Sequence, residues 1–182
     1  MIGNGNPLSP FGAIIKLDIE NAKIVEGICF TMRKRFDIAA LGVLDIVFDP
    51  TNFDKETLVT LPLSFNGIGG PIDIDFYHDV NADQDGTELV SSNRNHKVIV
   101  TNPATVVIRQ NPSNVNIGGA IKQELLIPSN GSGAGNTSSG DVAEPLVMLL
   151  DKTKKCLWRF TNTDNSDSAR LGVVMTWFEV PY

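Results

Sequence analysis

The sequence predicts an all-β protein, an antiparallel β-sandwich or barrel, and three observations lead there. Apolar residues recur with a period of two rather than 3.6, as in Ile72, Ile74 and Phe76 alternating with Asp73 and Asp75. The alternating runs are short and separated by clusters of Gly, Pro, Asn and Asp, the residues that reverse a chain. No long segment carries an apolar stripe at helical spacing. At 182 residues the chain suits one domain with an arm, and a core of that size needs no metal or disulfide to hold it.

Taken in order, Ala13, Ile15, Leu17 and Ile19 alternate with Lys16, Asp18 and Glu20 and predict a first half-buried strand. A second strand-like run covers 24–31 and a third 41–48. Val59, Leu61, Leu63 and Phe65 form one further alternating run, in which Pro62 implies an edge strand or a bulge because proline has no N–H for the ladder. The acidic strand beginning at Ile72 follows, then runs at 97–101, 105–110, 121–127, 146–150, 156–162 and 171–180. Asn66-Gly-Ile-Gly-Gly-Pro71 reads as a turn supplying positive φ. Asn102-Pro103 and Asn111-Pro112 bracket one strand, and the polar stretch 162–168 joins the last two.

Two segments stand outside this pattern. Residues 1–11 are rich in Gly, Asn and Pro yet carry Ile2, Leu8 and Phe11, the composition of an extended N-terminal arm with spaced apolar anchors or of a frayed terminus. Residues 128–141 form a Gly/Ser-rich low-complexity loop inside the single domain expected over 12–182.

Composition narrows function. A formal net charge of −6 argues against a non-specific nucleic-acid binder, whose affinity comes from cations neutralising phosphates. No basic and apolar leader precedes the first strand, and no run approaches the roughly 18 apolar residues of a spanning helix. Asn130 and Asn136 fit the glycosylation sequon but read as loop residues without a secretory route. Cys29 and Cys156 are too few for a disulfide scaffold; both lie in apolar runs and read as small buried hydrophobes, though strand pairing could bring them together.

Catalytic chemistry finds few candidates, and the expectation is a protein that is not an enzyme. His78 shares parity with Phe76 and reads as the end of an inner face, while His96 follows Asn93-Arg94-Asn95 and reads as a turn residue. No G-x-S-x-G elbow and no phosphate loop is present. Asp73 and Asp75 are spaced for a carboxylate pair, yet the same alternation describes any solvated sheet face. Asn81, Asp83 and Asp85 with Gly86 match the first half of a calcium loop. Position 12, however, falls on Ser92 where a bidentate Glu is required. An acidic turn and a calcium site both remain open there; no metal or cofactor is assigned.

The second half of the chain carries an order of features that resembles a known group. It runs Asp85-Gly-Thr-Glu-Leu89, Asn93-Arg-Asn95, Pro103-Ala-Thr-Val-Val-Ile-Arg109, Gly118-Gly119, the Gly/Ser loop, and Glu144-Pro-Leu-Val-Met-Leu-Leu150. It closes with Leu157-Trp-Arg-Phe-Thr-Asn162, a polar turn, and Val173-Val-Met-Thr-Trp-Phe-Glu179. Over roughly 36–180 this is similar to small structural proteins of tailed-bacteriophage virions, of the capsid decoration or cement type. The N-terminal arm and the lengthened loop depart from that group.

The resemblance implies a jelly-roll-like sandwich on the capsid exterior, assembled in the host cytoplasm, with the major capsid protein as partner and self-association as a homotrimer. It implies no catalytic residue, nucleic acid or membrane. On that reading Ile2, Leu8 and Phe11 are the expected capsid contacts. The alternative is a carbohydrate- or host-recognition sandwich of a head or tail fibre, which would display aromatics for stacking on sugars.

Overall fold

The structure is a computed structural model, and it describes residues 24, 26, 28–51, 57–61, 64–95, 104–118, 120–127, 138–141, 146–150 and 153–179. The arm with Ile2, Leu8 and Phe11, the strand expected at 13–19, the run 97–101, Pro62, His96 and both sequon asparagines, Asn130 and Asn136, lie outside them.

The chain is all-β, and every pairing among the described strands is antiparallel. The strands in order are β1 (Cys29–Ile38), β2 (Val43–Asp49), β3 (Thr57–Leu61), β4 (Ser64–Gly69), β5 (Ile72–Val80), β6 (Thr87–Glu88) and β7 (Ser92–Asn93). Then come β8 (Val107–Gln110), β9 (Ile121–Ile127), β10 (Ser138–Asp141), β11 (Leu146–Leu150), β12 (Lys155–Asn162) and β13 (Ala169–Phe178). One sheet has the order β10-β4-β13-β1-β7 and the other β6-β8-β2-β12-β5-β9, while β3 and β11 form a separate ribbon.

The two large sheets share one core. Phe30, Met32, Phe36 and Ile38 of β1 and Leu171, Val173, Met175 and Trp177 of β13 meet Leu44, Ile46 and Phe48 of β2, Trp158 and Phe160 of β12, and Ile72, Ile74 and Phe76 of β5. Alternation places each of these sets on one side of its strand, and burying such a side chain contributes roughly 1.5–3 kcal/mol. Trp177 spans the layers: it stacks on Phe30 at 5.9 Å between ring centroids and meets Phe48 edge-on at 5.7 Å.

A smaller cluster lies on the other face of the six-stranded sheet. Val47, Tyr77, Val80 and Leu157 pack under Ala82, Val115, Ile117 and Ala120, so the β8–β9 connection covers that face. Val80 reaches this side because the ladder slips at Lys155/Cys156, where Asp79 is an extra residue with φ 62°.

Several boundaries differ from the sequence reading. The first described strand is Cys29–Ile38, not 24–31. Met32, Phe36 and Ile38 keep one inward parity, but Arg33-Lys34-Arg35 interrupts it and hides the period. The run 59–65 is divided between β3, which pairs with β11, and β4, which pairs with β13 and β10. Most of 66–71 is strand rather than turn; the reversal is confined to Gly69 and Gly70. Gly69 has φ 103°, and a Cβ there would lie 2.5 Å from the Ser168 carbonyl oxygen. Ser138–Asp141, expected as loop, pairs with β4 as a short edge strand whose Ser and Gly composition gives no strand signal.

Candidate interaction surface

β1 is paired along its whole length on one side by β13, from Cys29↔Phe178 to Ile38↔Ala169. On its other side β7 covers only Phe30 and Thr31. Beyond Thr31 no described strand pairs with this edge. The Cys29 carbonyl accepts from the Arg94 N–H at 2.9 Å and the Thr31 carbonyl from the Ser92 hydroxyl at 3.4 Å, so odd-numbered residues direct their backbone groups outward here. Arg33, Arg35 and Asp37 continue that series along the open edge.

The side chains make this edge basic in an acidic protein. Arg33, Lys34 and Arg35 are exposed, and the two arginines form no ion pair among the described residues. Lys34 has inward parity but reaches out: its Nζ lies 5.4 Å from the Phe36 ring centroid and donates to Gln110 Oε1 at 3.2 Å. Beneath it an open cleft of about 450 Å3 is lined by Phe36, Ile38, Gly42, Leu44 and Gln110. Asp37 pairs with Arg170 at 2.9 Å on the exposed sheet face.

The turn after β1 displays two apolar side chains beside the cleft, Leu41 at 64% and Val43 at 51% exposure. Leu41 adopts φ 54°, a left-handed conformation that costs a branched residue roughly 1 kcal/mol. It is held there because the Gly42 N–H donates to the Ala39 carbonyl at 2.8 Å and the Leu41 N–H to the Asp164 carbonyl at 2.9 Å. A Cβ on Gly42 would lie 2.8 Å from that Ala39 oxygen, so the turn requires glycine.

The other candidates resolve into scaffold roles. Asp83 and Asp85 are turned toward the start of the β8–β9 connection. Ser113 donates its N–H to Asp85 Oδ1 at 2.7 Å and its hydroxyl to Asp85 Oδ2 at 2.6 Å, and Asn114 Nδ2 donates to Asp83 Oδ2 at 2.6 Å. The Ser113 bonds hold the Asp85 carboxyl below its usual range. Asn81 is joined to Asn116 by paired backbone bonds of 3.1 and 2.7 Å. The turn is laced to its neighbour through its carboxylates, and no group of three histidine, cysteine or carboxylate side chains placed to hold a metal occurs among the described residues. Asp75 accepts from the Tyr77 hydroxyl at 3.2 Å, while Arg159, facing it across the ladder, forms a two-pronged pair with Asp45 at 2.8 Å for each bond.

His78 is half-buried with its ring edge-on to Phe76 at 4.3 Å, and burial lowers its pKa. Cys29 and Cys156 are not joined by a disulfide and are buried, as small core residues; burial pushes the Cys156 thiol up to about 12. Trp158 and Trp177 are buried, and every described aromatic side chain is buried or half-buried. The basic edge and the Leu41 turn escaped the sequence reading; three successive cations inside a run of inward-facing apolar residues were the available signal.

No family model, characterised protein or solved structure matches this chain.

Proposed function

We propose that this protein is a structural virion component that binds the outer capsid lattice of a tailed bacteriophage and stabilises it. The observation that carries the reading is the form of the candidate surface. Its determinants, Arg33, Arg35, Leu41 and Val43, are strung along a sheet edge and turn rather than gathered round a reactive centre. That form suits adhesion between proteins, where extended contact supplies the affinity.

The strand order supports the jelly-roll part of the proposal. Counting β1, β2, β4, β5, β9, β10, β12 and β13 as eight strands, one sheet runs first-eighth-third-sixth and the other second-seventh-fourth-fifth. The resemblance in the last hairpin falls on residues with scaffold work, since Asn162, Trp177 and Glu179 are all buried. Trimeric assembly and capsid contacts by Ile2, Leu8 and Phe11 belong to the same proposal. Burial of both tryptophans weighs against the carbohydrate-binding alternative, which needs displayed rings.

Co-sedimentation with undecorated capsids tests the reading. Saturable binding that raises the capsid melting temperature is expected, with loss of binding when residues 1–11 are removed. Absence of binding by the full chain overturns it.

A further inference from the structure

We propose that the open edge of β1 binds by strand addition, taking an extended segment of a capsid subunit that alternates acidic and apolar residues. The source of that segment rests on the function proposed above; the strand addition itself does not.

Three features fix the chemistry of the occupant. No described strand takes up the outward backbone groups of Arg33, Arg35 and Asp37, which offer a ladder to any chain that lies alongside. Arg33 and Arg35 stand two residues apart on one sheet face, so alternate residues of an added strand fall beside them. Directly opposed side chains approach to about 5 Å, the range in which opposite charges stabilise a pair, and carboxylates are therefore selected at those positions. The intervening residues of the added strand point the other way, into the cleft floored by Phe36, Ile38 and Leu44, where apolar side chains exclude water. Lys34, bridging to Gln110 across the opening, swings outward to admit them.

Leu41 and Val43 extend the apolar surface at the end of this edge. Long exposed edges are usually blunted in natural proteins, and lysine or arginine is one means of doing so. Here the same cations repel a basic strand, gain no partner from a neutral one and attract an acidic one, so protection and selectivity come from one device.

The probe is a blocked seven-residue peptide alternating aspartate and valine, with lysine replacing aspartate in the control. Saturable calorimetric binding of the acidic peptide is expected, with slowed hydrogen exchange at the Arg33, Arg35 and Asp37 amides and no binding of the control. The R33E/R35E variant should lose on the order of ten-fold in affinity, since each attractive cross-strand pair becomes repulsive. A peptide N-methylated at alternate residues, which cannot complete the ladder, should fail on the wild-type protein.

Equal binding of the methylated peptide, or no binding of the acidic one, overturns strand addition. Co-sedimentation is read separately. Capsids bound equally by wild type and R33E/R35E overturn this edge as the capsid contact. Wild-type protein that takes the peptide but no capsid overturns the virion function and leaves strand addition standing.

Discussion

Glu179 clasps Thr105. Its carboxylate accepts from the Thr105 N–H at 3.0 Å to each oxygen and from the Thr105 hydroxyl at 2.7 Å, across 74 residues of chain. The Val106 N–H at 3.1 Å and the Trp177 Nε1–H at 3.1 Å complete the set on Oε1. A buried carboxylate is costly unless its lone pairs are satisfied, and here the donors converge from β13 and from the segment before β8. The clasp ties the end of β13 to the segment leading into β8.

Glu179→Ala should therefore destabilise the domain by about 3 kcal/mol, because buried N–H groups lose their acceptor. Glu179→Gln should cost less but still measurably, since its amide turns a donor toward donors. Denaturant midpoints of the two variants, compared with Thr105→Val, check the order; an unchanged midpoint for Glu179→Ala would show the clasp to be idle.

Asn162 does similar work at the opposite end of β13. Fully buried, it donates Nδ2 to the carbonyls of Ala39 at 3.0 Å and Asp167 at 2.8 Å, and its Oδ1 accepts from the Asp164 N–H at 3.1 Å. Asn162→Ala should cost about 2 kcal/mol, with Asn162→Asp at least as damaging because a carboxylate would face two carbonyls. The Leu41 turn depends on this junction, so amide exchange at Leu41 should rise first, alongside the drop in melting temperature.

Asp49 gives the domain an acid limit. Burial alone would raise its pKa, but the hydroxyl and N–H of Thr51 and the Lys155 ammonium at 3.1 Å outweigh that and hold it below 3.8. A lowered folded value means stability present above 3.8 and lost as pH falls through the folded pKa. Wild-type stability should thus fall relative to Asp49→Asn only in that acidic window. A gap between the two that is constant down to pH ~2 would refute the assignment.

Thiol chemistry should be silent in the native state. With Cys156 pushed up to about 12 and Cys29 buried, Ellman's reagent at pH ~8 should titrate neither thiol until denaturant is added. Rapid native reaction of Cys156 would place it on a surface, against its position beside Trp158.

The all-β class, most strand centres and the core parity were legible because two-residue alternation is written directly into β2, β5, β12 and β13. Burial of Cys156 followed from its parity with Trp158 and Phe160, and that of Cys29 from its place in an apolar run. The strands that escaped had no local signal. Thr87–Glu88, Ser92–Asn93 and Ser138–Asp141 are strands only because a neighbour's backbone supplies partners. The split of 59–65 between two pairings depends on where distant strands lie. The candidate surface was hidden for a related reason: Arg33 and Arg35 matter because no described strand lies beside them, which is a property of the sheet order.

The pairing of β1 with β13 has a consequence for how the molecule comes into being. Cys29 meets Phe178 and Ile38 meets Ala169, so the longest ladder joins segments more than a hundred residues apart. During synthesis β1 leaves the ribosome with both long edges bare and waits for almost all the remaining chain before either the ladder or the Trp177 contact can form. Such topology makes for slow, late closure. The charges of Arg33, Lys34 and Arg35 are then a safeguard for the nascent chain as well, keeping an apolar strand from pairing with its copies on the same message until its own last strand arrives.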